Sequence, residues 1–200
     1  MVLLVLLCLI SITSIGKLAF GVCRKLSNIK FSKNLSYIGD NAFELCVSLK
    51  KVEIPDNVTY LGRCCFASCR SLENINIPKK LSSIGSSTFE ECRSLESIVI
   101  PSSIEKNEPS VFKYCTNLKY IILPKSIKYI GTNLFLYTDN LKYIFYEGSA
   151  DDWKNIVFED GWNNVVSGNT FDKMDALYYF SDSTPYFRRK LLALCWLCSY

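Results

Sequence analysis

The feature of this chain that most constrains its fold is a repeat with a period of 23 residues. Phenylalanine, leucine and cysteine each return at that interval through most of the sequence. A repeat of roughly 20 to 29 residues is typical of a solenoid, in which each unit forms one coil and contacts only its neighbours. The repeat therefore predicts an elongated array of about six coils. The recurring positions are Phe20, Phe43, Phe66, Phe89, Phe112 and Phe135; Leu26, Leu49, Leu72, Leu95, Leu118 and Leu141; and Cys23, Cys46, Cys69, Cys92 and Cys115.

The units follow the consensus L-x-x-I-x-I-P, an Ile-Gly step and then A-F-x-x-C, with proline present in four units and the glycine in five. We expect the first part to form a short strand whose leucine and two aliphatic residues point into the core. Proline then ends the strand, because it has no N–H to donate. The glycine is expected to turn the chain with a positive φ, and the Phe and Cys side chains to pack back from the convex side. The predicted fold class is an α/β repeat solenoid with a parallel concave sheet and short helical or turn segments on the convex side.

Because the cysteines share one phase, we expect them to form a column along the interior of the solenoid. A cysteine in such a place behaves as a small hydrophobic residue with a free thiol. A disulfide between neighbours is the alternative, since the coil spacing lies near the permitted Cα separation, but the parallel side-chain directions disfavour it. Thr138 stands at the sixth position, which fits a packing role better than a covalent one. The sequence does not determine whether Cys64, Cys65, Cys195 and Cys198 are thiols or disulfides.

The unit NLKYIILPKSIKYIGTNLF, residues 117–135, resembles the BspA-type leucine-rich repeat, whose signature is L-x-x-I-x-I-P…I-G-x-x-A-F-x-x-C. The resemblance covers residues 6–146, which hold the six units. The segment YEGSADDWKNI, residues 146–156, is similar to the sequence that often closes such arrays, and ALYYFSDSTP, residues 176–185, looks like a terminal strand. The resemblance implies an extended, surface-antigen-like domain that binds protein, often at the cell surface, with no catalytic residues to carry over.

The chain divides into four parts on this interpretation. Residues 1–15 are an apolar N-terminal segment, residues 16–146 the leucine-rich repeat array, residues 147–187 a C-terminal cap, and residues 188–200 a basic and apolar tail. Ser149 and Asp152 form the pattern of a capping box, which predicts a short helix through Trp153 at the start of the cap. A repeat array needs such an atypical end to cover its last apolar coil.

Two interpretations of the N-terminal segment remain open. MVLLVLLCLI resembles the apolar part of a signal peptide, although it lacks a basic start. The same segment also keeps the repeat phase, since Leu6 and Cys8 precede Val52 and Ile54 by 46 residues. It is therefore either a targeting segment or a first coil. The apolar part of the tail is too short to span a bilayer, and docking onto the array is favoured over membrane association.

One unit departs from the repeat, with Asn107 and Glu108 in place of Ile-Gly and with Pro109 after them. A glutamate would be strained if the turn kept a positive φ, so the turn is expected to rearrange. Sequence drift is favoured as the origin of this departure over a recognition bump on the convex edge.

The candidate functional surface is the concave face, where side chains flank the second aliphatic residue of each strand. The first three coils place polar or charged residues there, and the last three become apolar and aromatic. Solenoids bind through open sheets, and aromatic clusters commonly anchor protein interfaces. The alternative is that the terminal segment around Tyr178–Phe180, or the tail, covers this face. The predicted partner-binding residues are Val99, Tyr120, Ile122, Tyr143 and Phe145.

Two glycosylation sequons, at Asn34 and Asn57, lie 23 residues apart and are therefore expected on the same edge. Both can carry glycans in a eukaryotic secretory route. The alternative is chance in turns that are rich in Asn, Ser and Thr, and this is favoured unless secretion is shown.

Composition argues against catalysis and against a nucleic-acid partner. The chain contains no histidine, which excludes a Ser-His-Asp or Cys-His site, and it has no Gly-rich phosphate loop. A net charge of +4, from 23 basic and 19 acidic residues, is too balanced for a nucleic-acid surface. The C-x-x-C pair near the end lacks the second ligand pair of a zinc site. We therefore predict no enzyme activity, no metal and no cofactor.

The sequence thus predicts a non-catalytic domain that binds a protein ligand, secreted or on the cell surface, in an adhesion-like role. The alternative is an intracellular scaffold, or a degenerate family member without a dedicated ligand. Membrane association through both apolar ends is a third and less favoured hypothesis.

Overall fold

The 23-residue units stack as coils of a parallel β-solenoid in this computed structural model, which describes residues 12–162 and 177–181. All strand pairs among these residues are parallel, and most join residues that are 23 positions apart. One period of the sequence is therefore one turn of the solenoid. The elements are β1 Ser14–Ile15, β2 Tyr37–Ile38, β3 Lys51–Val52, β4 Tyr60–Leu61, β5 Asn74–Ile75, β6 Ser83–Ile84, β7 Ser97–Val99, β8 Lys106–Asn107, β9 Tyr120–Leu123, β10 Tyr129–Ile130, β11 Tyr143–Tyr146, α1 Ala150–Lys154, β12 Val157–Phe158 and β13 Leu177–Phe180.

Two parallel ladders run along the solenoid, and the sequence predicted only the first of them. The first ladder contains the L-x-x-I-x-I strands, with β3 and β5 in one sheet and β7, β9, β11 and β13 in another. The second ladder contains the steps that precede the repeat glycine, with β1, β2 and β4 in one sheet and β6, β8, β10 and β12 in another. The two residues before each repeat glycine therefore form a short strand, and the chain changes direction directly after it. Each coil thus has two hydrogen-bonded sides.

The core between the ladders is built from the columns that the repeat predicts. All six repeated leucines are buried, and the phenylalanines from Phe43 to Phe135 are fully buried. Neighbouring rings stack nearly parallel, with centroids 5.1 Å apart for Phe20 and Phe43 and 6.1 Å apart for Phe112 and Phe135. Phe20, in the outermost described coil, is only partly buried. Identical side chains packed on one another in successive coils make the period visible in the sequence.

The convex segments are turns, and α1 is the only α-helix in the described part of the chain, so the predicted convex helices are not confirmed. Two residues in each turn have a positive φ, which costs a non-glycine residue about 1 kcal/mol or more. Backbone hydrogen bonds between successive turns offset this cost, for example from the Phe20 N–H to the Ala42 carbonyl at 2.8 Å. The positive-φ residues are Leu18, Asn41, Cys64, Ser87, Ser110 and Asn133, and, four positions later, Val22, Leu45, Ser68, Glu91, Tyr114 and Tyr137.

The repeat glycines do not have a positive φ, so the role predicted for them is wrong. Gly161, outside the repeat position, is the one described glycine with a positive φ. The repeat glycines face the backbone of the preceding coil instead. A Cβ added to Gly39 would lie 2.8 Å from the Lys17 nitrogen, and one added to Gly131 would lie 2.7 Å from the Pro109 nitrogen. Glycine is favoured at this position where the coils approach closely, and not because the chain turns with an unusual φ.

The unit that contains Asn107 and Glu108 keeps the regular backbone, so the expectation of a rearranged turn is wrong. β8 pairs in register with β6 and β10, which places Asn107 between Ile84 and Ile130. The Asn107 side chain is fully buried and neither of its amide atoms has a hydrogen-bond partner. The distance from the Glu108 nitrogen to the carbonyl of the previous coil is 3.3 Å, against 2.9 Å at Gly39. A slightly wider coil junction therefore accommodates the glutamate, and the buried Asn107 does not form a recognition bump.

Among the described coils, both ladders are interrupted between the same two coils. In the second ladder β4 does not pair with β6, and in the first ladder β5 does not pair with β7. Next to this interruption the Asn76 side chain turns back to the previous coil, where it accepts from the Ile54 N–H and donates to the Ile54 carbonyl, both at 2.7 Å. The convex turns remain joined there, since the Phe66 N–H donates to the Thr88 carbonyl at 3.0 Å. The two halves of the array are therefore held together by the convex hydrogen bonds and by the core.

The C-terminal end of the array begins with the predicted capping box. The Ser149 side chain accepts from the Asp152 N–H at 3.0 Å, and the Asp152 carboxylate accepts from the Ser149 N–H at 2.9 Å, which opens α1. Because α1 lengthens this coil, Tyr129 in β10 pairs with Val157 in β12, 28 residues later. β13 pairs with β11 and forms the predicted terminal strand.

Several predictions concern residues outside the described ranges. They are the targeting segment or first coil within residues 1–11, the docking of the tail at residues 188–200, and the thiol states of Cys195 and Cys198. The boundaries of the four parts of the chain also stay predictions.

Candidate partner-binding surface

The outward face of the first ladder is positioned by the alternation of side chains along its strands. In β9, Ile121 is buried in the main core, whereas Tyr120 and Ile122 belong to a separate cluster on the opposite side of the sheet. Parallel pairing at the repeat interval then sets Tyr120 beside Tyr143 and Ile122 beside Phe145. The period of the sequence and the alternation of the strand together assemble this aromatic cluster.

The five residues predicted to bind a partner lie next to one another on this face, but they differ in exposure. Val99 is 37% exposed, and Tyr120 and Tyr143 are partly exposed. Ile122 and Phe145 are 2% and 1% exposed, so the centre of the predicted patch is buried. The Phe145 ring packs edge-to-face with Tyr120, with centroids 6.4 Å apart, and lies 6.1 Å from the ring of Tyr143. The accessible part of the candidate surface is therefore Val99 with the two tyrosines.

The polar half of the same face belongs to the preceding coils. The ion pair between Lys51 and Glu53, at 3.0 Å, is largely exposed and adds little stability. Asn76 is engaged with the backbone of Ile54 on the previous coil, which no sequence signal indicated. This half supplies polar groups at the edge of the aromatic cluster and no apolar anchor. Its exposed residues are Asn28, Lys30, Lys51, Glu53, Asn74 and Asn76.

The second ladder carries an aromatic pair that the sequence analysis did not single out. Tyr37 and Tyr60 are 42% and 44% exposed, and their rings stack with centroids 4.9 Å apart. Partial desolvation and the charge of Asp40 raise the pKa of the Tyr60 phenol. The available signal was the 23-residue spacing of the two tyrosines, each before a buried aliphatic residue.

Both asparagines of the glycosylation sequons are exposed. The Asn57 amide nitrogen donates to the Lys33 carbonyl at 3.1 Å, and the Asn57 amide oxygen accepts from Lys80 Nζ at 2.8 Å. Asn34 lies one coil earlier at the same repeat position. A glycan on either asparagine would extend into solvent, and glycosylation at these positions stays a prediction.

The cysteine column consists of free thiols that donate hydrogen bonds. All seven cysteines in residues 12–162 are free. The Cys92 sulfur donates to the Phe66 carbonyl of the previous coil at 3.3 Å, and the Cys46, Cys69 and Cys115 sulfurs make the equivalent bond at 3.1–3.2 Å. At the sixth position the Thr138 hydroxyl donates in the same way, at 2.9 Å. The repeat position therefore selects a small side chain that can donate a hydrogen bond.

Burial keeps these thiols in the protonated form. It raises the pKa of the Cys46 thiol to about 12, and it raises the pKa of Cys92 well above the ordinary value. A thiol must lose its proton to act as a nucleophile or as a metal ligand. Cys23 is exposed, which corrects the prediction that all five repeat cysteines lie in the interior. Within the described ranges, no three His, Cys, Asp or Glu side chains are grouped so that they could hold a metal ion.

These features define the class of protein. Stacked 23-residue coils, a parallel ladder that carries the leucines inward, and an outward face with an aromatic cluster are those of a leucine-rich repeat protein. Repeat proteins of this kind generally act as scaffolds that bind other proteins through extended surfaces. In the part of the chain that the structure describes, no helix has the length and apolar character that crossing a bilayer requires.

The chain belongs to the BspA-type leucine-rich repeat family. The pattern of the BspA type leucine rich repeat region matches residues 8–62 and 37–164, in six copies. The resemblance seen in the sequence is thereby confirmed. A comparison with curated proteins gave no match.

Solved structures of leucine-rich repeat proteins share the fold. A leucine rich cell surface protein from Faecalibacterium prausnitzii is 24% identical, with a TM-score of 0.65 over 75% of this chain and 52% of that protein. A leucine-rich repeat protein from Eubacterium ventriosum is 24% identical, with a TM-score of 0.62 over 82% of this chain and 45% of that protein. The leucine rich repeat protein of T. pallidum is 23% identical, with a TM-score of 0.55 over 91% and 83%. This chain spans about half the length of the first two.

Proposed function

We propose that this protein is a non-catalytic binding module that holds a protein partner against the outward face of the first ladder, at the surface of the cell. The contact residues are Val99, Tyr120 and Tyr143, and Ile122 and Phe145 support them from within the cluster. The observation that carries the proposal is this cluster itself, an apolar and aromatic group on the side of the sheet opposite the main core.

Physical chemistry supports this choice of contact residues. Tyrosine offers a large apolar ring and a hydroxyl, and only two side-chain torsions have to be ordered on binding. The paired strands hold Tyr120 and Tyr143 side by side, so little backbone entropy is lost when a partner binds. The polar residues of the preceding coils would form the hydrated rim that surrounds such anchors. The surface location is supported by the F. prausnitzii relative, which is a cell surface protein.

The proposal is tested by introducing charge at the accessible tyrosines. We expect Tyr120→Asp with Tyr143→Asp to weaken partner binding by about 100-fold or more, because two anchors are lost and two carboxylates must be desolvated. The partner is first captured from the surface fraction of the native cells with the wild-type protein, and its affinity for each variant is then measured. Ile122 and Phe145 are left unchanged, since a charge at a buried position would disturb the fold.

A matched variant places the same charge change on the polar half of the same face. Asn28→Asp with Asn74→Asp should bind the partner with an affinity within about threefold of wild type. Thermal unfolding of both variants shows that the array is intact. A tyrosine variant that folds and keeps its affinity would exclude this face as the binding surface.

A further inference from the structure

We propose that the array bends at a hinge between the coil that contains β4 and β5 and the coil that contains β6 and β7, and that the Asn76 side chain creates this hinge. Neither ladder is paired across this junction among the described strands, whereas the convex turns are bonded there. Hinge motions take place where a few residues absorb the change while the parts on either side move as rigid bodies. The hinge axis therefore runs along the convex turns, and bending separates the two ladders.

The second ladder lacks its usual backbone bond at this junction. One coil earlier, the Gly62 N–H donates to the Ile38 carbonyl at 2.8 Å. Within residues 12–162, the equivalent bond from the Gly85 N–H to the Leu61 carbonyl is not formed. A Cβ added to Gly62 would lie 2.3 Å from the nearest backbone atom, whereas one added to Gly85 would lie 3.1 Å from it. The coils are therefore more widely separated here than at the preceding junction.

The first ladder is open at the same junction. The Glu73 N–H donates to the Lys50 carbonyl at 2.8 Å before it, and the Lys119 N–H donates to the Glu96 carbonyl at 2.8 Å after it. In the described part of the chain, no equivalent bond joins the Glu96 N–H to the Glu73 carbonyl. Two sides of this junction thus lack the hydrogen bonds that hold the neighbouring coils together, and local opening costs least at such a place.

The Asn76 side chain explains why the first ladder stops here. Where β7 pairs with β9, the Ile100 N–H donates to the backbone carbonyl of Ile122 at 2.9 Å. At the same position of β3 and β5, the Ile54 N–H donates to the side-chain oxygen of Asn76 at 2.7 Å, and the Asn76 amide donates to the Ile54 carbonyl at 2.7 Å. A side chain therefore takes the place of a strand backbone, and β5 ends at Ile75 after two residues. Its backbone leaves the line of the ladder and does not pair with β7.

The convex side is tied across the junction by backbone and by side chains. The Phe66 N–H donates to the Thr88 carbonyl at 3.0 Å. The Glu91 carboxylate accepts from the Ser68 hydroxyl at 2.7 Å and from the Arg70 guanidinium at 3.0 Å. Each of these bonds joins residues on opposite sides of the junction. Because they lie on the convex side, they can stay closed while the ladders separate.

Bending at this junction would change the shape of the outward face of the first ladder. The aromatic cluster and Val99 lie on the C-terminal side of the junction, and the polar half of the face lies on its N-terminal side. A partner that contacts both halves would bind one degree of bending more tightly than another and would select it. This consequence rests on the proposed function, whereas the hinge itself does not.

The first test is hydrogen exchange on the free full-length protein, read at single amides. We expect the Gly85 and Glu96 amides to exchange about 100-fold or more faster than the equivalent Gly131 and Lys119 amides. The Phe66 amide should stay as protected as those of the C-terminal coils. Slow exchange at Gly85 and Glu96 would overturn the hinge. Fast exchange at Phe66 as well would also overturn it, because the two halves would then separate without an axis.

The second test measures the bending motion itself. Nitroxide labels are placed in pairs through an introduced keto amino acid, which leaves the native cysteines unlabelled. One pair, at Ser36 and Lys128, spans the junction along the second ladder, and the control pair, at Glu44 and Leu136, spans it along the convex turns. Both pairs are 92 residues apart. We expect the distribution of distances between labels to be about twice as broad for the ladder pair as for the convex pair. Equal widths would contradict a hinge.

A matched pair of variants tests the role of Asn76. Asn76→Val should slow exchange of the Glu96 amide by about tenfold or more, because the backbone of β5 can then continue the ladder. Asn74→Val changes the other outward asparagine of the same strand, which does not bond Ile54, and should stay within about threefold of wild type. Equal exchange in the two variants would exclude the Asn76 amide as the cause. None of these measurements uses a partner, so their failure would leave the proposed binding surface to be judged by the tyrosine variants alone.

Discussion

The repeat cysteine shows what a single position in this array has to provide. Its sulfur is buried, and it donates to the carbonyl of the phenylalanine in the previous coil, as Cys115 does to Phe89 at 3.1 Å. That carbonyl also accepts from the N–H of the cysteine in its own coil, as Phe89 does from Cys92. Threonine can occupy the position because its hydroxyl makes the same bond. Size and donor capacity together therefore define the position, whereas apolar character alone does not.

Asn107 is a residue whose side chain does not fit the environment of its column. Its equivalents Ile84 and Ile130 are buried apolar side chains, but Asn107 places an amide without hydrogen-bond partners in the same column. We expect Asn107→Ile to raise the free energy of unfolding by about 1–3 kcal/mol, because burying an unpaired amide is unfavourable and isoleucine restores the packing. Urea unfolding of the two proteins measures the difference.

The reverse exchange is the control for this prediction. Ile84→Asn, one coil earlier, should lower the free energy of unfolding by about 2–4 kcal/mol for the same reason. If Asn107→Ile were neutral or destabilising while Ile84→Asn behaved as expected, the Asn107 amide would have to be satisfied in solution.

The strands of the second ladder explain the repeat glycine. The glycine follows each of these short strands and lies against the backbone of the coil before it. The Gly62 N–H donates to the Ile38 carbonyl at 2.8 Å, which fixes the coils at a close separation. A Cβ at this position would meet the backbone at the Gly39–Asp40 peptide. The spacing between strands therefore selects glycine at this position.

The first coil supplies a matched comparison for this explanation. We expect Gly62→Ala to lower the free energy of unfolding by about 1–3 kcal/mol, because the added methyl group forces two coils apart. Gly16→Ala occupies the same position in a coil where nothing lies within 4 Å of the added Cβ, so its effect should stay within about 0.5 kcal/mol. Thermal or urea unfolding of the two variants checks the difference. Equal effects would mean that local backbone conformation, and not the approach of the coils, requires glycine.

At the scale of the whole molecule, the cysteine column links stability to pH. An unfolded thiol loses its proton near pH 8.5, whereas burial raises the pKa of the Cys46 thiol to about 12 and also raises the pKa of Cys69 and Cys92. The native state therefore binds more protons than the unfolded state between these pH values. The contribution of the column is fully present below about pH 8.5 and is lost as the pH rises through this window.

We therefore expect the stability of the array to fall steeply above about pH 9, by about 1.4 kcal/mol per buried thiol for each pH unit. The variant Cys69→Thr with Cys92→Thr keeps both hydrogen bonds and removes two titrating groups, so its stability should fall less steeply. Urea unfolding at several pH values up to about 10 measures both slopes. The difference between the two slopes removes the pH dependence that tyrosines and lysines contribute equally to both proteins. If the free energy of unfolding depended on pH equally in the two proteins, burial would not be raising the pKa of Cys69 and Cys92 in solution.

The sequence predicted much of the fold because a solenoid repeats its environment. The leucine, phenylalanine and cysteine columns, the first-ladder strands and the capping box at Ser149 were all readable from phase and spacing. The second ladder was missed because its strands are only two residues long, which is too short for a periodic signal. At the candidate site, alternation placed Tyr120 and Tyr143 correctly on the outward face. The burial of Ile122 and Phe145 depends on packing around the sheet, which the pattern of one strand does not contain.

The sequence by itself determined the period, the residues that share each column and the family of this protein. All of these depend on position along the chain, and a strict repeat converts position directly into place within a coil. Only the tertiary structure decided how close the coils lie. That distance explains why glycine is favoured at its repeat position, how Glu108 is tolerated there, and which carbonyl the cysteine sulfur bonds to. Distances between coils arise from packing and hydrogen bonding across residues that are 23 positions apart, so they exist only once the chain has stacked.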